Sequence, residues 1–297
     1  MSLTDWLASR MAAPARLEPF PRWFLGAGEK GFGPKLRRSL WRRMRKPMVM
    51  PWIENLQVNI EPNNETCRSL FVTGRYEPNE LCVLDRVLKA GMVFVDVGAN
   101  VGLYSLFAAS KVGGQGIVVA IEASSRECDR LRRNIELNGF RNVRVIQAAA
   151  SDRVGETELM VAPPEHGGHN TLGAFAYGTP VESKERVKTT RIDDIVRERA
   201  LTRLDVIKMD IEGAELAALR GAEETLRRFH PLLLLEVSDR SLQHQHATSG
   251  QLLDHVASFG YRMYAFDLQT GLPAPAERKP YYDSENMLAI AGNEVPW

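Results

Sequence analysis

A chain of 297 residues, 44% apolar and 25% charged, is long enough to bury a large core without disulfide staples, and a net charge of +1 excludes a disordered polyelectrolyte. Cys67, Cys82 and Cys128, an odd number with no C-x-x-C pair, read as reduced packing residues and imply a cytoplasmic setting, in which the Asn64-Glu65-Thr66 sequon carries no meaning. The charge is unevenly spread: residues 1–50 hold 11 Lys/Arg and 3 acids (+8), the rest 27 and 34 (−7).

Residues 1–55 read as a basic N-terminal extension. Asp5, Arg10 and Arg16 interrupt any apolar run long enough for a signal peptide. Leu36, Leu40, Trp41 and Met44 recur at helical spacing, with Arg37, Arg38, Arg42, Arg43 and Arg45 around them and Pro47 and Pro51 beyond. Such a helix, over residues 36–46, either lies on an anionic membrane surface or packs its apolar face on the acidic body. The membrane alternative would make the protein peripheral at the inner membrane surface. Nucleic acid is not an expected partner, because no aromatic stacking platform accompanies the basic residues.

Residues 56–297 form the second unit. It opens with short strands over 57–60 and 69–73 and a helix over 79–89. Apolar runs then alternate with helical patterns: strands over 92–97, 117–122, 143–147, 204–210, 232–237, 261–266 and 287–291. Helices are expected over 102–111, 124–138, 213–229 and 251–259. The run 91–110 is no membrane span, since Asp96, Asn100 and glycines interrupt it. Strands alternating with helices predict a doubly wound, mostly parallel α/β sheet. An alternating run over 154–162 adds a further strand, and the stretch 163–185 has no decodable pattern.

The chemistry concentrates in Val95-Asp96-Val97-Gly98-Ala99-Asn100-Val101-Gly102, where an apolar strand runs into a glycine turn and then a helix. Glycines let backbone approach a ligand closely, and the following helix start presents free N–H groups. Glu122 ends the next strand, 20 residues past Gly102, where a carboxylate can accept hydrogen bonds from both hydroxyls of a ribose. This pattern predicts a nucleoside-containing cofactor. An acid at the first strand end repels a pyrophosphate and suits a cation, which favours S-adenosylmethionine (SAM) over NAD.

The sequence resembles the FkbM-type SAM-dependent methyltransferases. The resemblance rests on residues 94–102, on Glu122, on Ala150-Ser151-Asp152, on Thr190-Arg191-Ile192-Asp193-Asp194 and on Lys208-Met209-Asp210-Ile211-Glu212-Gly213-Ala214-Glu215. It implies a class I methyltransferase fold, Rossmann-like, with a seven-stranded, mostly parallel sheet and helices on both faces. It implies SAM as cofactor and methyl transfer to a hydroxyl of a sugar, glycolipid or secondary metabolite, so the partner is a small-molecule, glycan or lipid acceptor. By resemblance Asp96, Gly98, Ala99, Asn100 and Gly102 line the methionine end, Glu122 and Ala123 the ribose, and Ser151 and Asp152 the adenine edge. Asp210 would stand close to the cofactor.

A hydroxyl acceptor calls for a base at the carboxyl edge of the sheet. Asp210 ranks first, Glu236 second, and His169, in the loop His166-Gly167-Gly168-His169, third. Lys208 and Asp210, two apart on a strand, share one sheet face and read as an ion pair. The histidines read as solvated members of a substrate loop, and no H-x-E-x-H-like cluster argues for a metal. An ion bridging Asp210 and Glu236 is a lesser alternative. Two other functions remain open at this stage: an NAD-type oxidoreductase on a similar sheet, and a non-catalytic binding protein on a SAM fold.

Overall fold

A computed structural model describes residues 32–62, 64–175, 178 and 180–292. The signal-peptide reading and the first basic residues, Arg10 to Lys30, lie outside the described residues.

The chain begins with α1 (Phe32–Arg43), β1 (Met48–Pro51), β2 (Gln57–Ile60), α2 (Glu65–Thr73) and α3 (Pro78–Val87). The αβ alternation follows: β3 (Val93–Val97), α4 (Leu103–Val112), β4 (Ile117–Glu122), α5 (Ser125–Leu137) and β5 (Val143–Gln147). A small second sheet is built from β6 (Ala149–Ala150), β7 (Gly155–Val161) and β8 (Ser183–Thr190), in the order β6-β8-β7. The chain then forms α6 (Ile192–Glu198), β9 (Val206–Met209), α7 (Glu215–Arg220), α8 (Glu223–Phe229) and β10 (Leu232–Val237). It ends with α9 (Asp239–Gln243), α10 (Ser249–Ala257), β11 (Tyr261–Phe266), β12 (Pro273–Pro275) and β13 (Glu285–Ala291).

The main sheet has eight strands in the order β12-β11-β13-β10-β9-β3-β4-β5. Strands β5, β4, β3, β9 and β10 run parallel, and β13 enters antiparallel between β10 and β11. Seven strands match the predicted architecture. The eighth, β12, is a three-residue edge strand with a proline at each end, an edge position that proline tolerates because it cannot donate to a second neighbour. Helices cover both faces, which is why β3 is buried at every residue. Phe94 joins one core, with α1, α2 and α4, whereas Val93, Val95 and Val97 join the other, with α6 to α8 and α10.

Two expectations change in the N-terminal part. Residues 69–73 are not a strand but the last half of α2. Asn64 caps that helix by accepting from the Cys67 N–H at 2.9 Å, and Gly74, at φ 72°, closes it. These end signals outweigh the apolar run Leu70-Phe71-Val72. Second, the chain from residue 32 is no separate extension, so a boundary at residue 55 has no counterpart in the packing. Leu40, Trp41 and Met44 are buried in the same core as Phe94, and the Trp41 ring lies 5.7 Å from that of Phe71. Arg37 Nε donates to the Val72 carbonyl at 2.8 Å, and β1 pairs with β2. The apolar face that a bilayer contact through residues 36–46 would need is therefore covered by the body. Arg42, Arg43, Arg45 and Lys46 stay exposed. Among the described residues no helix is long and apolar enough to cross a membrane.

Candidate functional site

The strand order reverses at β3. The chain moves from β3 to β4 and β5 on one side, then returns to place β9 and β10 on the other. Ligands in open α/β sheets bind outside the carboxyl ends of the strands at such a point. A cavity lies there, lined by Gly98, Ala99 and Asn100 after β3, by Glu122 and Ala123 after β4, by Asp210 and Glu212 after β9, and by Glu236 of β10.

Gly98 sits at φ 74°, and a Cβ there would stand 1.9 Å from the Asp210 carbonyl oxygen. Only glycine lets the two turns approach so closely. Asn100, at φ 50°, aims its N–H at Glu122 Oε2 (2.8 Å), while Ser124 N–H donates to Glu122 Oε1 (2.9 Å). The two backbone donors hold this carboxylate at the cavity, and burial still pushes it up to about 7. Gly102 does not line the cavity. Its role is packing, because a Cβ would stand 2.4 Å from Leu131 of α5.

Asp96 also departs from expectation: it does not line the cavity but is fully buried beneath it. Parallel register sets Asp96 of β3 beside Lys208 of β9. Ser105 Oγ donates to Asp96 Oδ2 at 2.6 Å, and Oδ1 lies 3.8 Å from Lys208 Nζ. Burial raises the Asp96 carboxyl above its ordinary range, with Lys208 acting in the other direction. Lys208 Nζ also lies 3.7 Å from Asp210 Oδ2, donates to the Gly98 carbonyl at 3.3 Å and stands 5.0 Å over the Tyr104 ring. Burial alone would lower the Lys208 ammonium, but Asp210, Asp96, Glu77 and Glu236 outweigh it and raise it. The expected Lys208–Asp210 pair is therefore one half of an Asp96–Lys208–Asp210 chain, buried at Asp96 and Lys208 and partly exposed at Asp210.

Asp210, Glu212 and Glu236 converge, each offering a carboxylate oxygen within 4.8 Å of the others. Burial, then the charge of Asp210, pushes Glu212 up to about 8, and the same causes raise Glu236 well above the carboxylate range. Ser241 donates to Glu212 at 3.2 Å and Ser284 to Glu236 at 2.5 Å.

Sequence reasoning missed Glu77 and Tyr104 as cavity residues. Glu77 precedes α3 at φ 37° and accepts a hydrogen bond from the Tyr104 hydroxyl. Burial lifts it to about 8. The strained backbone has no mark in composition, and the partner lies 27 positions on. Glu212 was within reach, since it belongs to the quoted motif, but its left-handed turn (φ 51°) is what aims it inward.

His169 lines the cavity from a 3₁₀ turn, Pro164–His169. Burial lowers its imidazole below the ordinary value. Ser151 and Asp152 do not line the cavity; Ala148, Ala149 and Ala150 do. The physical reason is β6, which pairs with β8 and carries the chain off the main sheet. The Ser151 N–H then donates to the Thr190 carbonyl at 2.9 Å, and Asp152 is left exposed.

A sheet of this order, with a cavity at its switch point, is the doubly wound, Rossmann-like architecture expected of a class I methyltransferase. The family described as Methyltransferase FkbM domain matches residues 96–263, more than half of the chain, and the chain belongs to that family. It is 30% identical over 164 residues to methyltransferase sdnD of Sordaria araneosa (46% of this chain, 62% of that protein). It is 26% identical over 186 residues to the 2-O-methyltransferase NoeI of Sinorhizobium fredii (58% and 73%). It is 28% identical over 163 residues to the 31-O-demethyl-FK506 methyltransferase FkbM of Streptomyces tacrolimicus (46% and 62%). The chain thus spans under two thirds of the length of the Sordaria and Streptomyces relatives.

Proposed function

We propose that this cavity binds SAM and that the protein methylates a hydroxyl oxygen of a small-molecule, glycan or lipid acceptor. One observation carries the reading. Among the described residues lining the cavity, the carboxylates of Glu65, Glu77, Glu122, Asp210, Glu212 and Glu236 face a single lysine, Lys208. Such a wall lacks the cationic donors that the pyrophosphate of a dinucleotide needs, and a ligand with a sulfonium and an ammonium and no phosphate would favour the ionised form of its raised carboxyls. The names of NoeI and of the Streptomyces enzyme both specify transfer to oxygen.

The residues fit that cofactor. Gly98, Ala99 and Asn100 would face its methionine end with backbone alone. Glu122, whose two oxygens each retain a lone pair beyond the backbone bond, would accept from the ribose hydroxyls. Ala123 and the small residues Ala148 to Ala150 would flank the base. When bound, SAM supplies an electrophilic methyl group.

The chain's own residues supply alignment and proton transfer. Asp210 takes the proton of the acceptor hydroxyl; burial raises Glu212 and Glu236 above the usual carboxylate range, which makes them poorer candidates for an ionised base. Asp96 holds Lys208, and Lys208 holds Asp210. Asp96 is thus a positioning residue rather than a contact for the cofactor.

Calorimetry with SAM and with NAD tests the cofactor, with micromolar SAM binding and no NAD binding expected. Mass spectrometry of glycan and lipid extracts incubated with protein and SAM tests the reaction, with a product heavier by one methylene expected. NAD binding without SAM binding would overturn the reading.

A further inference from the structure

We propose that Glu65, His166 and His169 form a binding site for a first-row divalent metal ion, Zn²⁺ being the ion their chemistry fits, beside the cavity. This departs from the metal-free expectation. The segment Pro164–His169 is two short 3₁₀ stretches that meet at a kink at His166 (φ −120°), and it holds the His166 and His169 rings with centroids 5.4 Å apart. Gly167 seats the turn: a Cβ there would stand 3.0 Å from Glu127 Oε1 of α5 and 3.3 Å from Asn64 Nδ2, the cap of α2. That seating sets the two rings against Glu65, the first residue of α2.

Glu65 Oε2 lies 3.7 Å from His166 Nδ1 and 3.9 Å from His169 Nε2, and the three donor atoms lie within 4.8 Å of one another. Both distances to Glu65 are too long for hydrogen bonds. They fall inside the ~4.2 Å that two donors at ~2.1 Å from one Zn²⁺ can span. An independent observation points to a ligand: His166 Nδ1, aimed at Glu65, is buried and has no hydrogen-bond partner.

Two imidazoles and one carboxylate suit Zn²⁺ and leave a coordination position open. The ion would join the 164–169 turn to α2. His169, as a ligand, is then withdrawn from the choice of base, leaving it to Asp210 and Glu236. The ion's use in the reaction, holding an acceptor hydroxyl at the open position, rests on the transferase reading above; its binding does not.

The test uses the full chain, stripped with a chelator and titrated with Zn²⁺ by calorimetry and with Co²⁺ by visible absorption. We expect one equivalent bound, with the absorption bands of four- or five-coordinate Co²⁺. His166→Ala and Glu65→Gln should each weaken binding at least ~10–100-fold, the loss that removal of a mere supporting residue causes. Glu65 is exposed at a helix start, so Glu65→Gln remains informative if melting curves show His166→Ala unfolded. His246→Ala, exposed on another loop, should bind as wild type. The proposal is overturned by absence of stoichiometric binding, or by binding that both variants retain. Loss only in Glu236→Gln also overturns it, by placing the ion at the Asp210–Glu212–Glu236 cluster. SAM titration of the same samples separates the two readings: Zn²⁺ bound without SAM rejects the transferase alone, and SAM bound without Zn²⁺ rejects the metal site alone.

Discussion

Buried carboxylates occur in two regions of this molecule, and their partners differ. Asp193, at the start of α6, accepts from Thr225 N–H (2.8 Å), Thr225 Oγ1 (2.7 Å) and Glu224 N–H (3.2 Å), with Arg191 at 3.1 Å. Asp239 accepts from Ser249 N–H and Oγ, both at 2.8 Å, and from Tyr282 N–H at 2.9 Å. Asp193 ties the starts of α6 and α8 together, and Asp239 those of α9 and α10. At the cavity, Glu212 and Glu236 accept side-chain hydrogen bonds from one serine apiece and are pushed well up by burial. Burial therefore does not by itself mark a site. The carboxylates short of donors are the ones from which a cationic ligand gains most.

The sharpest contrast comes from removing one acid of each kind. Asp210→Asn should lower turnover by ~10²–10⁴-fold with SAM affinity kept and the acidic limb of the pH–rate profile lost. Near wild-type turnover in that variant would move the base to Glu236.

Asp193→Ala should do the reverse. We expect a loss of ~3–5 kcal/mol in denaturant unfolding, because Thr225 and Glu224 N–H groups and Arg191 are left without their acceptor. SAM affinity of the folded fraction should not change. A weakened SAM affinity would break the division between the two regions.

Glu122 belongs to both categories, being held by two backbone donors and open to the cavity. Glu122→Ala should weaken SAM binding by ~2–4 kcal/mol in calorimetry, two hydrogen bonds to a charged acceptor at ~1.5–3 kcal/mol each, discounted for sharing. It should also lower the melting temperature of the unliganded protein, since the Asn100 and Ser124 N–H groups lose their acceptor. Equal SAM affinity would remove Glu122 from the ribose site.

The smallest effect is a pH slope. Burial lifts Glu122 and Glu215 to about 7, and Glu77 and Glu212 to about 8. A raised carboxyl means that the folded state binds more protons than the unfolded one. Stability contributed by these protons is then present below pH ~4.5 and is lost as pH rises to ~8. Melting temperature of the unliganded protein should fall across that window, and Glu212→Gln should flatten the fall. A melting temperature that rises from pH 5 to 8 would contradict the burial of these groups.

Much of the site was legible because the fold places strand ends by rule. An apolar strand, a glycine turn and an acid 20 residues later lead to Gly98 and Glu122, and both are at the cavity. Asp96 belongs to the same motif but sits one pleat lower, because its register beside Lys208 makes it an internal partner. Ser151 and Asp152 follow the third strand as expected, yet β6 turns them away. The α2 helix was missed where apolar content was weighed above its end signals, Asn64 and Gly74.

The sequence by itself determined the alternation of elements, seven of the eight strands of the main sheet and the acids at or beside the ends of β3, β4, β9 and β10, since these follow from local periodicity and chain direction. Tertiary structure decided three matters in which the partner lies far along the chain. The basic helix spends its apolar face on α2, because Phe71 is packed there to receive Trp41. Glu77 meets Tyr104 across the gap between α3 and α4. Glu65 meets two histidines about a hundred residues later, because Gly167 lets their turn settle between α2 and α5. Periodicity reports which face of an element is apolar, but what covers that face, and which charges are left without donors, is set by the packing of elements distant in the chain.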